Sequence, residues 1–166
     1  MSAYDPPYAI ARTAAEAALY LELSPCPDCG STETDWQHQQ TAEVLSCTGV
    51  CAGCGALREF LFSRPSHPYE GFGGPEASEL IDAGQWLEFA DRIAGQVAVD
   101  DQSDEALEAM TVARQAVEEV VKFVPPAADA VPDEAFWTEA GRAVRALDPG
   151  RFRLERLLLI RDSYSG

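Results

Sequence analysis

Apolar residues recur along this chain in helical stripes, with shorter strand-like runs between the first stripe and the second. Thr13 followed by Glu16 has the form of a capping box, and Ala14, Ala17, Ala18 and Leu21 make an apolar stripe behind it. Pro25 disfavours helical backbone in the residue before it, so this first helix is expected to stop short of it. Residues 43–50 and 56–63 read as strands, the second carrying Leu57, Phe60, Leu61 and Phe62, and residues 36–40 are a candidate third. Asp82 with Gln85 repeats the capping signature ahead of Trp86, Phe89, Ala90, Ile93 and Val97. Ser103, or an aspartate just before it, starts a further helix. Its apolar side is Leu107, Met110, Val117, Val120, Val121 and Val124, and Pro125-Pro126 ends it. A fourth stripe comprises Phe136, Trp137, Ala140, Val144 and Leu147. Asp148-Pro149-Gly150 then turns the chain into a short last helix around Leu154, Leu157, Leu158 and Arg161.

The pattern predicts an α+β fold in one compact domain over residues 1–166. A small cysteine-bearing β-unit (24–63) packs on a mostly helical part (80–166), with about five helices in all. Residues 64–79 hold Pro65, Pro68, Gly71, Gly73, Gly74 and Pro75, and read as a linker without regular structure.

Cys26-Pro-Asp-Cys29-Gly30 and Cys51-Ala-Gly-Cys54-Gly55 are two copies of one device. Thiolates three residues apart can grip one tetrahedral ion from a tight turn, and the glycine after each pair admits a backbone whose amides point at sulfur. Thiolate ligands in a tetrahedron favour Zn²⁺. Cys26, Cys29, Cys51 and Cys54 are therefore the expected ligands. Four protein ligands close the coordination sphere, so the expected zinc is structural and no catalytic residue is assigned. The 21 residues between the pairs are enough for a hairpin that brings them together. Over residues 24–63 this arrangement resembles a zinc ribbon. The resemblance implies two knuckles, each at the end of a hairpin, holding one structural zinc. It departs in having Ala52 where the first knuckle has Pro27.

Charge then narrows the partners. There are 28 acidic residues against 12 basic, a formal net charge of −16. A phosphate backbone or an anionic membrane needs a neutralising Lys/Arg surface, so neither nucleic acid nor membrane is an expected partner. Zinc ribbons in many proteins do bind nucleic acid or polymerase, and here the charge speaks against that part of the resemblance. Asp100, Asp101, Asp104, Glu105 and Glu108 crowd one helix start, either as a solvated face or as a patch that steers a basic protein. The 149–166 segment is locally basic, at net +2. No run of eighteen apolar residues is present, and the first ten residues lack a basic segment followed by an apolar one. A cytoplasmic location is the expectation, and five thiols suit a reducing compartment.

The remaining chemistry-bearing residues are sparse. Cys47 reads as a small strand residue, while His38 and His67 lie in polar or turn-rich sequence. A dyad of Cys47 with either histidine would need a third, orienting group. The glycines of the 69–76 segment are not followed by Lys-Ser/Thr, so a nucleotide loop is not expected. That segment packs either over the helical part or against a partner. The expected function is an acidic, zinc-stabilised protein-interaction module for a basic protein, of which an inhibitor or immunity-type protein is one form. The alternative is a small enzyme or accessory subunit using Cys47, His38 or His67 near the ribbon.

Overall fold

The computed structural model describes residues 6–165, so the first half of the ten-residue stretch read for a basic-then-apolar pattern lies outside the described residues. Among the described residues there are five α-helices and one three-stranded antiparallel sheet, an α+β fold as expected. The chain divides into two compact units, with the crossings between them falling in and just after the segment read as a linker. The first runs through Gly74 and takes in Ser78–Leu80. The second comprises Pro75–Ala77 and the chain from Ile81 onward. No helix of the described residues is long and apolar enough to cross a membrane.

In the first unit, α1 (Ala14–Glu22) is capped by the Thr13 side chain, which accepts from the Glu16 amide. The reciprocal half of the capping box goes elsewhere. Glu16 is wholly buried, and its Oε1 accepts from the Arg12 backbone N–H at 3.0 Å. Its Oε2 takes the Arg12 guanidinium, whose Nε lies 3.0 Å away. The buried side of α1 is therefore Glu16, Ala17, Leu19 and Leu21, while Ala14 and Ala18 of the expected stripe are exposed. A buried carboxylate is tolerable there only because the Arg12 charge and hydrogen bonds meet it.

Strands β1 (Thr34–Gln40), β2 (Val44–Cys51) and β3 (Leu57–Ser63) pair in that order. The register sets His38 opposite Cys47 and Cys47 opposite Phe60. Side chains alternate between faces, so Leu45, Cys47 and Cys51 share a buried face with Arg58 and Phe62. Val50 and Leu57 point the other way, and Leu57 is 87% exposed. Tyr20 of α1 meets Phe60 and Phe62 edge-on, each at 5.7 Å between ring centroids. A segment not foreseen from the pattern extends the sheet. Ile10 bridges Ser63 in parallel, with Ala11 N–H donating to the Ser63 carbonyl at 3.1 Å and Ser63 N–H to that of Ala9 at 3.0 Å.

The second unit holds α2 (Ala83–Gly95), α3 (Asp104–Val121), α4 (Glu139–Leu147) and α5 (Leu154–Ser163). Asp82 and Gln85 make the full reciprocal capping box at α2, and Ser103 caps α3. The face of α3 differs from the sequence pattern. Ala106, Ala113, Ala116, Val117 and Val120 are buried, whereas Leu107 is 48% exposed. Small alanines let a neighbouring helix come close, and that sets the contact face in place of the larger residues beside them. The fourth stripe also resolves differently. Phe136 precedes α4 and meets Phe152 edge-on at 4.8 Å, Thr138 caps the helix, and Ala140 and Leu147 are exposed.

Candidate metal centre

The two cysteine pairs fold into turns with the same hydrogen-bond pattern. The amide of each first cysteine donates to the carbonyl five residues on, Cys26 to Ser31 at 2.8 Å and Cys51 to Ala56 at 2.9 Å. Each glycine amide donates back to the first cysteine, Gly30 to Cys26 at 2.7 Å and Gly55 to Cys51 at 2.8 Å. Gly30 and Gly55 have φ of +77° and +78°, the left-handed region that glycine enters without steric cost. Gly53 is needed for another reason, since a Cβ there would lie 2.9 Å from the Cys29 sulfur.

These turns bring the four sulfurs together. Cys26 Sγ lies 3.7 Å from Cys54 Sγ and Cys29 Sγ 3.5 Å from Cys51 Sγ, and all four lie within 4.8 Å of one another. A tetrahedron of Zn–S bonds of about 2.3 Å has sulfur–sulfur edges of about 3.8 Å. The spacing fits an ion such as zinc at the centre, and the sulfur set suits the metal's preference for thiolates. Cys26 and Cys51 are buried, Cys29 and Cys54 exposed.

Backbone amides supply the electrostatics. The Cys54 amide leads in lowering the Cys51 thiol to about 6; burial opposes it, and the Gly53 amide and the neighbouring thiols reinforce it. At Cys54 the Ala56 amide pulls downward, but hydrogen bonding to Cys29, burial and the other two thiols outweigh it and push the group up to about 12. The amides around Cys51 thus favour its thiolate form.

Sequence spacing identified the four sulfurs but not their supports. Arg58 is buried on the sheet, donates from Nη2 to the Ser24 carbonyl at 2.7 Å, and stacks its guanidinium 5.2 Å from the Trp36 ring centroid. It ties the chain entering the first turn to the sheet. A lone arginine in a strand carries no sequence signal for this role.

Of the other candidates, His38 and Cys47 come together, with Nδ1 3.2 Å from Sγ. Cys47 is wholly buried, and burial pushes its thiol up. The thiol therefore stays protonated and shielded, the opposite of what a nucleophile needs. Treating the metal-loaded protein with iodoacetamide should leave Cys47 unmodified until denaturant is added. Peptide mass mapping measures this, and rapid labelling in the native state would contradict the burial. His67 and Glu70 are exposed in the coil after β3, outside the four-sulfur cluster.

The glycine-rich segment packs on the start of α1. The Phe72 carbonyl accepts from Thr13 Oγ1 at 3.1 Å, and a Cβ at Gly73 would sit 2.4 Å from the Arg12 guanidinium. Close approach to that side chain is the physical reason for glycine at this position.

No protein-family model matches the chain, and no curated protein or solved structure matches it either.

Proposed function

We propose that this chain is an acidic protein-interaction module whose β-unit, residues 24–63, is a zinc ribbon held by one structural Zn²⁺ on Cys26, Cys29, Cys51 and Cys54. The reading is carried by the convergence of four sulfurs at tetrahedral spacing. Four protein ligands leave no position for water or substrate, which favours a structural role over Lewis-acid chemistry. When bound, the ion would cross-link the two turns and supply folding free energy to a β-unit with little core of its own.

The formal charge of −16 supports a basic protein as partner and disfavours nucleic acid and anionic membrane. A cytoplasmic inhibitor or immunity-type protein, neutralising a basic target by covering its surface, fits this physics. A second reading, a small enzyme built on Cys47 and His38, is favoured only by their 3.2 Å contact and opposed by the burial of the thiol.

Native mass spectrometry of the chain from unfractionated source-cell extract tests both halves of the proposal. The expected result is one zinc per chain and a stoichiometric basic protein partner. Absence of zinc, or zinc on three sulfurs with an open position, would overturn the structural-zinc assignment. Absence of any protein partner would overturn the module.

A further inference from the structure

The second unit leaves an apolar groove uncovered. Val97, Val99, Leu107, Met110 and Tyr164 line a depression of about 710 Å³ between the end of α2, the N-terminal half of α3 and the residues after α5. Val99 is fully exposed and Leu107 about half exposed. Burying apolar side chains is favourable in proportion to the area removed from water, so leaving them in water has a cost that a partner would recover.

The rim carries a strong charge. Asp101 lines the groove, and Asp100, Asp104 and Glu108 are exposed beside it. Arg114 lines the groove further along α3, ten residues and about 15 Å from Asp104. Asp101 and Arg114 are the charged residues of the lining, and the exposed carboxylates of Asp100, Asp104 and Glu108, adjacent in sequence, turn the balance of its surroundings negative. The opening therefore suits roughly three turns of helix with an apolar stripe and basic flanks.

We infer that this groove is the docking surface of the module. Its occupant is a basic amphipathic helix of the partner, with apolar side chains seated on Val99, Leu107 and Met110 and Lys/Arg side chains paired with the acidic rim. This rests on the interaction-module reading and names the surface that performs it. Helix-in-groove recognition supplies the apolar anchors, and methionine adapts to their shape. The carboxylates add attraction and exclude acidic competitors.

The test titrates the full-length, zinc-loaded protein with a synthetic Leu/Lys helical peptide of about 15 residues in about 150 mM salt, the physiological range in which exposed charges are screened. The controls are a scrambled peptide of identical composition and a Leu/Glu version. The expected result is binding of the Leu/Lys peptide alone, with amide shifts concentrated in residues 97–111. Leu107→Asp and Val99→Asp should each weaken it at least about tenfold. Leu159→Asp, on an exposed apolar residue elsewhere in the unit, should leave it unchanged. Circular dichroism and zinc content verify that the variants fold. Equal binding of the scrambled peptide, or no effect of Leu107→Asp and Val99→Asp, would reduce the attraction to bulk charge and overturn the inference. Self-association of the protein alone, abolished by Leu107→Asp, would assign the groove to a second copy and overturn it as well. A natural basic partner that binds Leu107→Asp as tightly as the wild type would overturn this surface and leave the module reading intact.

Discussion

Cys51→Ser is expected to strip the protein of zinc and unfold its β-unit. The substitution removes a buried sulfur whose surrounding amides favour its thiolate form. Loss of an outer-shell partner alone typically costs roughly 10–100-fold in metal affinity, and loss of a ligand costs more. Structural zinc contributes on the order of 10 kcal/mol to the folding of small zinc domains, so most of the ordering of residues 24–63 goes with it. Metal analysis after dialysis against a chelator reads the first effect, and limited proteolysis across the β-unit reads the second. A variant that retains one zinc and resists protease would refute the tetrahedral assignment. Acidification should release zinc from the wild type in the same way, because the ion binds thiolates and protons compete for them. Its affinity therefore falls as pH falls.

Asp82→Ala should destabilise the helical unit by about 3 kcal/mol or more, because it removes one buried carboxylate that meets several hydrogen-bond donors at two helix starts. Asp82 is wholly buried, and its carboxylate serves two helices. Oδ1 accepts from the Gln85 amide at 2.9 Å, completing the cap of α2. Oδ2 accepts from the Thr138 amide at 2.8 Å and from its hydroxyl at 2.6 Å, and the same Thr138 oxygen caps α4 by accepting from the Gly141 amide at 2.9 Å. Alanine would leave three half-buried donors without this acceptor, and losing the acceptor of a buried donor costs roughly 1–3 kcal/mol. Asp82→Asn keeps one carbonyl acceptor and turns an amide donor toward other donors, so its loss should be intermediate. Urea unfolding followed by helical circular dichroism measures both. An alanine variant within about 0.5 kcal/mol of the wild type, the usual range for a neutral surface substitution, would show that the cap network carries no weight.

The same junction explains two glycines. A Cβ on Gly141 would lie 2.0 Å from Asp82 Oδ1, and one on Gly84 would lie 2.3 Å from the Gly141 carbonyl oxygen. Helices α2 and α4 touch through backbone there, so no side chain fits.

Local chemistry in the chain was enough to mark the helix starts at Thr13, Asp82 and Ser103, because a capping side chain bonds an amide two or three residues away. It was also enough to mark the strands and to nominate the four sulfurs, since the Cys-x-x-Cys-Gly turn is built within six residues. Contacts between residues distant in sequence were decided by packing. They include the second helix that Asp82 holds, the arginine under the first turn, and the pairing of His38 with Cys47 across the hairpin. Packing also selected the alanine face of α3 and left Leu107 in water. Periodicity marks which side of a helix is apolar, but close approach of a second helix decides which of those apolar residues are covered.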